Sequence, residues 1–404
     1  MARHTRPRAA QTTRLTLTEY TPLLLPKTAL TLAQGERLWR DFSAQVRVAF
    51  PSPQTGDQWQ LTAQGWVGIL PLAPDLTLDL LPRVPLDQLF TMLEVAWDLA
   101  SFRFAAELTT TADAVGFYER LVLLLARRTI ALARTGLYQR YEAQAGTPPT
   151  VRGRLDVVAL SRRPWVADLP CTFHERTADS PENRALLWTL HTALHEGHCT
   201  ARTLPTVRAA YRALAHSVTL TPTTAEDLAT ITYHRLNGAY RPLHALCRFI
   251  LRHTGPAVGD GPAPTLPFLV NMPRLFERFV VAWLAGHLPA AVGVRAQVRI
   301  PLDGDGLAFV ADGVLSDRVT GQSLAVFDTK YTATPDPVTD DIAQVVAYAR
   351  ALGCQNAWLI YPLPPDRPLD IQVGETRVRS IGFALAGDLD ATGAAVMREL
   401  LDHS

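Results

Sequence analysis

Asp312, Asp328 and Lys330 have types and spacing suited to hydrolytic chemistry, and each lies in or beside a short apolar run, Phe309–Leu315 or Ser323–Tyr331. Side chains two apart on a strand point to one face, so Asp328 and Lys330 share a face while Phe327 turns towards the core. A hairpin linked through Ser316–Gln322, with Gly321 at the turn, brings Asp312 alongside them. Two carboxylates can hold a hard divalent cation, and a lysine beside them can orient or deprotonate a water, which is what phosphodiester hydrolysis needs. The same pattern also fits an ordinary hairpin carrying a surface Asp-x-Lys. Composition favours the site. Of 39 basic residues only Lys27 and Lys330 are lysines, so the chain writes arginine almost everywhere else. Lysine is a compact point charge whose pKa moves readily, whereas guanidinium is wide and always protonated, so a surviving lysine marks a place where arginine does not serve.

Two further features bear on these residues. Gln344 and Tyr348 are spaced i, i+4 on a helix expected over Thr339–Leu352, so they share a face and can bracket a phosphate or an attacking water. Glu277 lies one turn before Val280, Val281 and Leu284, at the rim of an apolar helical face, where it serves equally as a solvated polar position or as a site residue. Elsewhere, His191, His195, His198 and Cys199 cluster as zinc ligands can, but HEGHC is not HExxH and no second ligand pair accompanies it. Asn183-Arg184 could bind phosphate or simply start a helix, with the arginine paired to Asp179 or Glu182.

The elements that must position these residues divide the chain. Alternating runs Leu15–Glu19, Trp59–Ala63, Trp66–Leu70 and Leu76–Leu80 predict strands, with a helix over Leu32–Val46 between them. Helical spacing covers Leu86–Ala100, Asp113–Arg140, Pro181–Glu196 after Ser180 as N-cap, Thr206–His216 and Ala225–His253, and Val151–Val158 reads as a strand. The Pro/Gly-rich Gly255–Pro267 stretch is the clearest boundary. Beyond it come a helix Met272–Leu288, strands near Val294–Ile300, Gly306–Leu315 and Ser323–Tyr331, and the Thr339–Leu352 helix with Thr339 as N-cap. Strands at Ala357–Tyr361 and Val378–Ala384 and a helix at Asp390–Asp402 close the chain. That order predicts a mixed sheet flanked by helices. The expected layout is α+β and multidomain: a disordered basic tail at 1–14, a β-rich N-terminal module at 15–84, a mainly helical region at 85–260 and a mixed α/β domain at 265–404.

Net charge near +1 gives no global pull towards nucleic acid, so any such contact must come from local arginines. Four scattered cysteines fit a reducing cytoplasm, and no apolar run approaches the ~20 residues that span a bilayer. Lys27 follows Leu-Leu-Leu-Pro and Lys330 follows Phe-Asp-Thr, so neither belongs to a phosphate-cradling G-x-x-x-x-G-K-[ST] loop and no nucleotide is expected on this chain.

With Glu277, Asp312, Asp328-Thr-Lys330 and Gln344-x-x-x-Tyr348 in place, the C-terminal region resembles the PD-(D/E)xK nuclease core. The wider chain resembles the McrC family of nuclease subunits in McrBC modified-cytosine restriction systems. The resemblance is carried by Asn271-Met-Pro-Arg-Leu-Phe-Glu277, Gly136-Leu-Tyr-Gln-Arg-Tyr141, Arg152-Gly-Arg-Leu-Asp156 and, most specifically, Cys171–Arg184. Gly65-Trp-Val-Gly68 and Leu81-Pro-Arg-Val84 are similar more weakly, with Arg83 where lysine is usual, and the gap between Asp312 and Asp328 is long for the pattern. The resemblance implies a type IV restriction endonuclease subunit that cuts double-stranded DNA with Mg2+, for which Mn2+ substitutes, held by Asp312 and Asp328. It also implies docking on a hexameric AAA+ GTPase partner, which the N-terminal part stimulates and which supplies the nucleotide hydrolysis. A non-cleaving activator of such an NTPase and a stand-alone DNA repair nuclease are the alternatives.

Overall fold

The first 81 positions hold six strands, alternating in β1 and β4 and continuously apolar in β2 and most of β5: β1 (Thr13–Thr18), β2 (Leu23–Pro26), β3 (Val46–Ala49), β4 (Gln58–Ala63), β5 (Trp66–Ala73) and β6 (Leu76–Leu81). The computed structural model describes residues 13–401, apart from Pro74, 98–113, Pro149, 163–164, 166–168, Gly197, 255–266, 302–306, 333, 335 and 386–387. Most of the expected basic tail and of the Gly255–Pro267 boundary therefore lies outside the described residues, although Thr13 and Arg14 belong to β1. By contacts the described chain falls into two units, one drawn from Met1–Phe117 and Leu266–Ser404, the other from Tyr118–Thr254.

In the first unit, β2-β4-β3 form one small sheet, and Trp59, Leu61 and Ala63 of β4 alternate into its core. The helix Leu32–Asp41 starts at a capping box, with Gln34 N–H donating to the Thr31 hydroxyl at 3.2 Å and Thr31 N–H to the Gln34 side chain at 2.8 Å. It ends at Asp41 rather than running to Val46, because the chain turns at Phe42 and Val46 pairs with Ala63 in β3. A second sheet places β1 parallel to β6 and β6 antiparallel to β5. The expected helix from Leu86 is observed over Leu86–Ala96.

The second unit carries β7 (Arg140–Gly146), β8 (Arg154–Leu155) and β9 (Cys171–Thr177) in the order β7-β9-β8. The expected strand Val151–Val158 is only Arg154–Leu155, because Asp156 accepts the Ala159 N–H at 2.9 Å and starts the helix Val157–Arg162. The Pro181–His195 helix is N-capped by Ser180 as expected. Expected as one helix, Ala225–His253 is two, Ala225–Ala229 and Tyr240–His253. Asn237 interrupts it, folding back so that its side-chain oxygen accepts the His234 N–H at 2.7 Å.

Returning to the first unit, β10 (Phe268–Asn271) pairs antiparallel with β5, completing the sheet β1-β6-β5-β10. Gly68 has φ +138°, and a Cβ there would lie 1.9 Å from the Phe268 carbonyl oxygen, so only glycine lets the strands meet. A six-stranded mixed sheet follows: β11 (Val292–Pro301), β12 (Ala308–Asp317), β13 (Ser323–Thr329), β14 (Asn356–Tyr361), β15 (Asp370–Val373) and β16 (Thr376–Gly382), in the order β11-β12-β13-β14-β16-β15. β13, β14 and β16 run parallel, and the other pairings are antiparallel. The Thr339–Leu352 helix covers one face through Val345, Val346, Tyr348 and Ala349, packed on Val314, Val326 and Leu359. Val338, not Thr339, is its N-cap, without a side-chain bond. The helices Met272–His287 and Leu389–Leu401 meet at Trp283 and Gly393, and Trp283 packs edge-on to Phe383 beyond β16. Among the described residues no helix is long and apolar enough to cross a membrane.

Candidate active site

The hairpin expected from Asp312 and Asp328 is β12–β13, turning at Gly321 with φ +74°. Its ladder runs down to Gly313 opposite Phe327, so Asp312 and Asp328 stand one step further on, on the face that carries Val314 and Val326. Gly313 is glycine because the Phe327 ring lies across it, where a Cβ would fall 1.9 Å from the ring edge. At the ladder's end the Asp312 carboxylate replaces the strand pairing. Its Oδ2 accepts the Thr329 N–H at 2.8 Å and the Thr329 hydroxyl at 2.7 Å.

Lys330 continues the chain beside β14, its N–H donating to the Ile360 carbonyl at 2.8 Å. Its ammonium lies 2.8 Å from Asp328 Oδ2, 2.9 Å from Asp341 Oδ1 and 2.9 Å from Gln344 Oε1, so all three of its hydrogens have acceptors. Gln344 Nε2 donates to the Tyr348 hydroxyl at 2.5 Å. Asp341, Gln344 and Tyr348 share a face of the Thr339–Leu352 helix. Asp341, in the first turn of that helix, was not among the candidates from sequence, although its i, i+3 spacing to Gln344 carried that signal.

Glu277, on the Met272–His287 helix, accepts a hydrogen bond from the Gln297 side chain. The β11 ladder pairs Ala296 with Gly313 and Val298 with Ala311, skipping Gln297 opposite Asp312, and Gln297 adopts φ +49°. A left-handed non-glycine residue of this kind is locally strained, and such strain concentrates at functional sites. Nothing in the β11 sequence signals it.

The electrostatics follow from crowding several acids around one ammonium. Burial, reinforced by the Asp312 carboxylate, pushes Asp328 up to about 6 against the pull of Lys330. Burial and the charge on Asp312 push Glu277 up to about 7. Burial pulls the Lys330 pKa down, but the contacts with Asp328 and Asp341 outweigh it and leave the pKa raised, so the ammonium stays protonated at neutral pH. A cation would relieve the repulsion among these acids, and Asp312 and Asp328 supply the hard oxygen donors it needs. Among the described residues no group of three or more His, Cys, Asp or Glu is disposed to hold a metal.

Other sequence candidates are structural. Asn183 is fully buried and ties together the Tyr138 and Ala178 carbonyls and the Tyr240 hydroxyl, at 2.9, 2.7 and 2.7 Å. Arg184 forms a two-point ion pair with Asp179, at 2.7 and 2.8 Å. His191 and His195 stack along one helix face, while His198 packs edge-on against Tyr118 instead of joining them.

The family model described as McrBC 5-methylcytosine restriction system component matches residues 61–362, and this chain belongs to that family. Its fold is similar to a solved structure, the refined half-complex from a tetradecameric assembly of Thermococcus gammatolerans McrB AAA+ hexamers with bound McrC. The TM-score is 0.64 at 17% identity, over 96% of this chain and 99% of that one. The Thermococcus gammatolerans McrBC complex seen by cryo-EM aligns with TM-score 0.47 at 18% identity, over 67% of this chain and 87% of that one. No curated protein matches the chain.

Proposed function

We propose that this chain is the Mg2+-dependent DNA endonuclease subunit of a modified-cytosine restriction system, with a PD-(D/E)xK core, working with an AAA+ GTPase partner that it stimulates. The observation that carries the reading is the Lys330 ammonium, bonded on three sides at the mouth of the Asp312–Asp328 pair. Membership of a restriction-system family supports it, as does the solved assembly in which McrC is bound to McrB AAA+ hexamers.

In this reading Asp312 and Asp328 hold the cation, which when bound neutralises phosphate charge and makes a nucleophile of water at neutral pH. Lys330, kept protonated, places a positive charge for the scissile phosphate or the attacking water, which it reaches by trading one of its three present partners, and is not the base that the sequence also allowed. Gln344 and Tyr348 fix the ammonium's direction. Glu277, its carboxyl raised by burial and then by the Asp312 charge, lies beside the pair as a further proton-holding group.

The test is cleavage of methylated plasmid with Mg2+ and the partner GTPase, by the wild-type protein and by Asp328→Asn. Wild-type cleavage that Asp328→Asn abolishes is expected. A wild-type protein that stimulates the GTPase yet never breaks a DNA strand would show a non-cleaving activator, and cutting without any NTPase would show a stand-alone nuclease.

A further inference from the structure

Lys330 has an anchor on its far side that belongs to the other end of the chain. Beyond Lys330 the polypeptide leaves the sheet at Tyr331, whose ring is buried. The Tyr331 hydroxyl donates to Glu19 Oε2 at 2.9 Å, and the Tyr331 carbonyl accepts from the Tyr20 hydroxyl at 2.9 Å. Both partners are themselves fixed. Glu19 N–H donates to the Leu81 carbonyl and Tyr20 N–H to the Ala63 carbonyl, each at 3.0 Å, and the Arg83 N–H reaches Glu19 Oε2 at 3.1 Å.

Three features mark this contact as more than packing. Glu19 is fully buried, its Oε1 has no hydrogen-bond partner among the described residues, and burial pushes its carboxyl up to about 7. Tyr20 takes a left-handed backbone, φ +57°. A half-satisfied buried acid beside a strained residue is costly where an apolar side chain would pack, which is how functional constraints show in a structure. The same edge also holds the other half of the site. Gly65, against the Tyr20 hydroxyl and Pro273, accepts the Met272 N–H at 3.0 Å, at the start of the helix that carries Glu277.

We propose that Glu19 and Tyr20 are positioning residues: by holding the hydroxyl and carbonyl of Tyr331 they fix Lys330 against Asp328, so the N-terminal strands set the geometry of the C-terminal site. Resting on the nuclease reading for the meaning of Lys330, the proposal makes a disturbance of the N-terminal strands a direct control on cleavage.

Selective 15N-lysine labelling of the full chain gives two backbone amide signals, because it has only two lysines, and Lys330→Arg identifies that of Lys330. Tyr331→Phe and Tyr20→Phe, each removing one hydroxyl, should shift the Lys330 amide and speed its exchange with solvent about tenfold, the scale of one lost hydrogen bond of about 1.4 kcal/mol. Both variants should keep one cooperative thermal transition lowered by only a few degrees, and kcat for cleavage should fall with KM unchanged. A Lys330 amide unmoved in both variants overturns the proposal. Should Tyr331→Phe fail to fold, Tyr20→Phe, at a half-buried side chain, decides alone. A wild-type protein that does not cleave overturns the nuclease reading instead and leaves the amide measurement to judge the contact.

Discussion

Lys330→Arg tests the site most sharply, because arginine stands at almost every other basic position of this chain. The ammonium meets Asp328, Asp341 and Gln344 at 2.8, 2.9 and 2.9 Å from one nitrogen, with the side chain 16% exposed. A guanidinium spreads its donors across a wide plane and cannot direct three of them from one point into that cage. At least one charge-assisted bond is lost, about 1.5–3 kcal/mol, and the charge moves off the point it serves. Loss of one preorganised electrostatic donor costs about 2.7–4 kcal/mol in the transition state. At 1.36 kcal/mol per decade that is roughly a hundred- to thousandfold in kcat. Single-turnover cleavage of methylated plasmid with Mg2+ and saturating partner measures it, with the partner's GTP turnover in the same tubes as the folding control. A Lys330→Arg protein that stimulates GTP hydrolysis normally and cleaves at the wild-type rate refutes the placement of Lys330 at the reacting group.

Two other outcomes follow from the same contacts. Asp341→Asn keeps an acceptor but removes a charge, leaving Lys330 with one carboxylate, and should lower kcat about tenfold, about 1.4 kcal/mol; an unchanged rate would make the Asp341 contact incidental. Glu19, faced by Tyr331, Tyr20 and Arg83, has a carboxyl raised by burial from 4.5 to about 7, so the folded state holds a proton that the unfolded state releases. Its stabilising effect is complete below about pH 4.5 and gone above about pH 7. Between those limits the unfolding free energy of wild type relative to Glu19→Gln should fall by roughly 3 kcal/mol, and a difference that stays flat with pH would remove Glu19 from the interior.

The grouping of the candidate residues was legible because it lies in residue types and spacing: two acids and a rare lysine on period-two strands, with Gln344 and Tyr348 at helical spacing. Asp341 escaped because an acid in a helix's first turn already has a local explanation. Gln297 escaped because a backbone forced left-handed by its neighbours leaves no mark on a polar strand. Strands β7 and β9 were missed although Arg140–Ala145 alternates polar and apolar residues, because both strands are largely exposed and only Cys171 is buried to mark an inner face. The run through His234–Gly238 kept a helical periodicity across a break that depends on the Asn237 side chain. The contact of Glu19 with Tyr331 spans 312 positions, far beyond what local pattern can show.

The pairing of β10 with β5 sets a timetable for synthesis. Strand β5, Trp66-Val-Gly-Ile-Leu-Pro-Leu-Ala, emerges from the ribosome with an apolar edge whose partner does not yet exist. At about 5–20 residues per second, the roughly 200 residues that separate it from β10 hold that edge open for about 10–40 s. During that wait the edge is a template for wrong pairings, which Pro71, with no N–H to donate, and the register shift between Pro71 and Ala73 discourage. A chain interrupted anywhere before Phe268 leaves the sheet unfinished and lacks every candidate site residue from Glu277 to Tyr348.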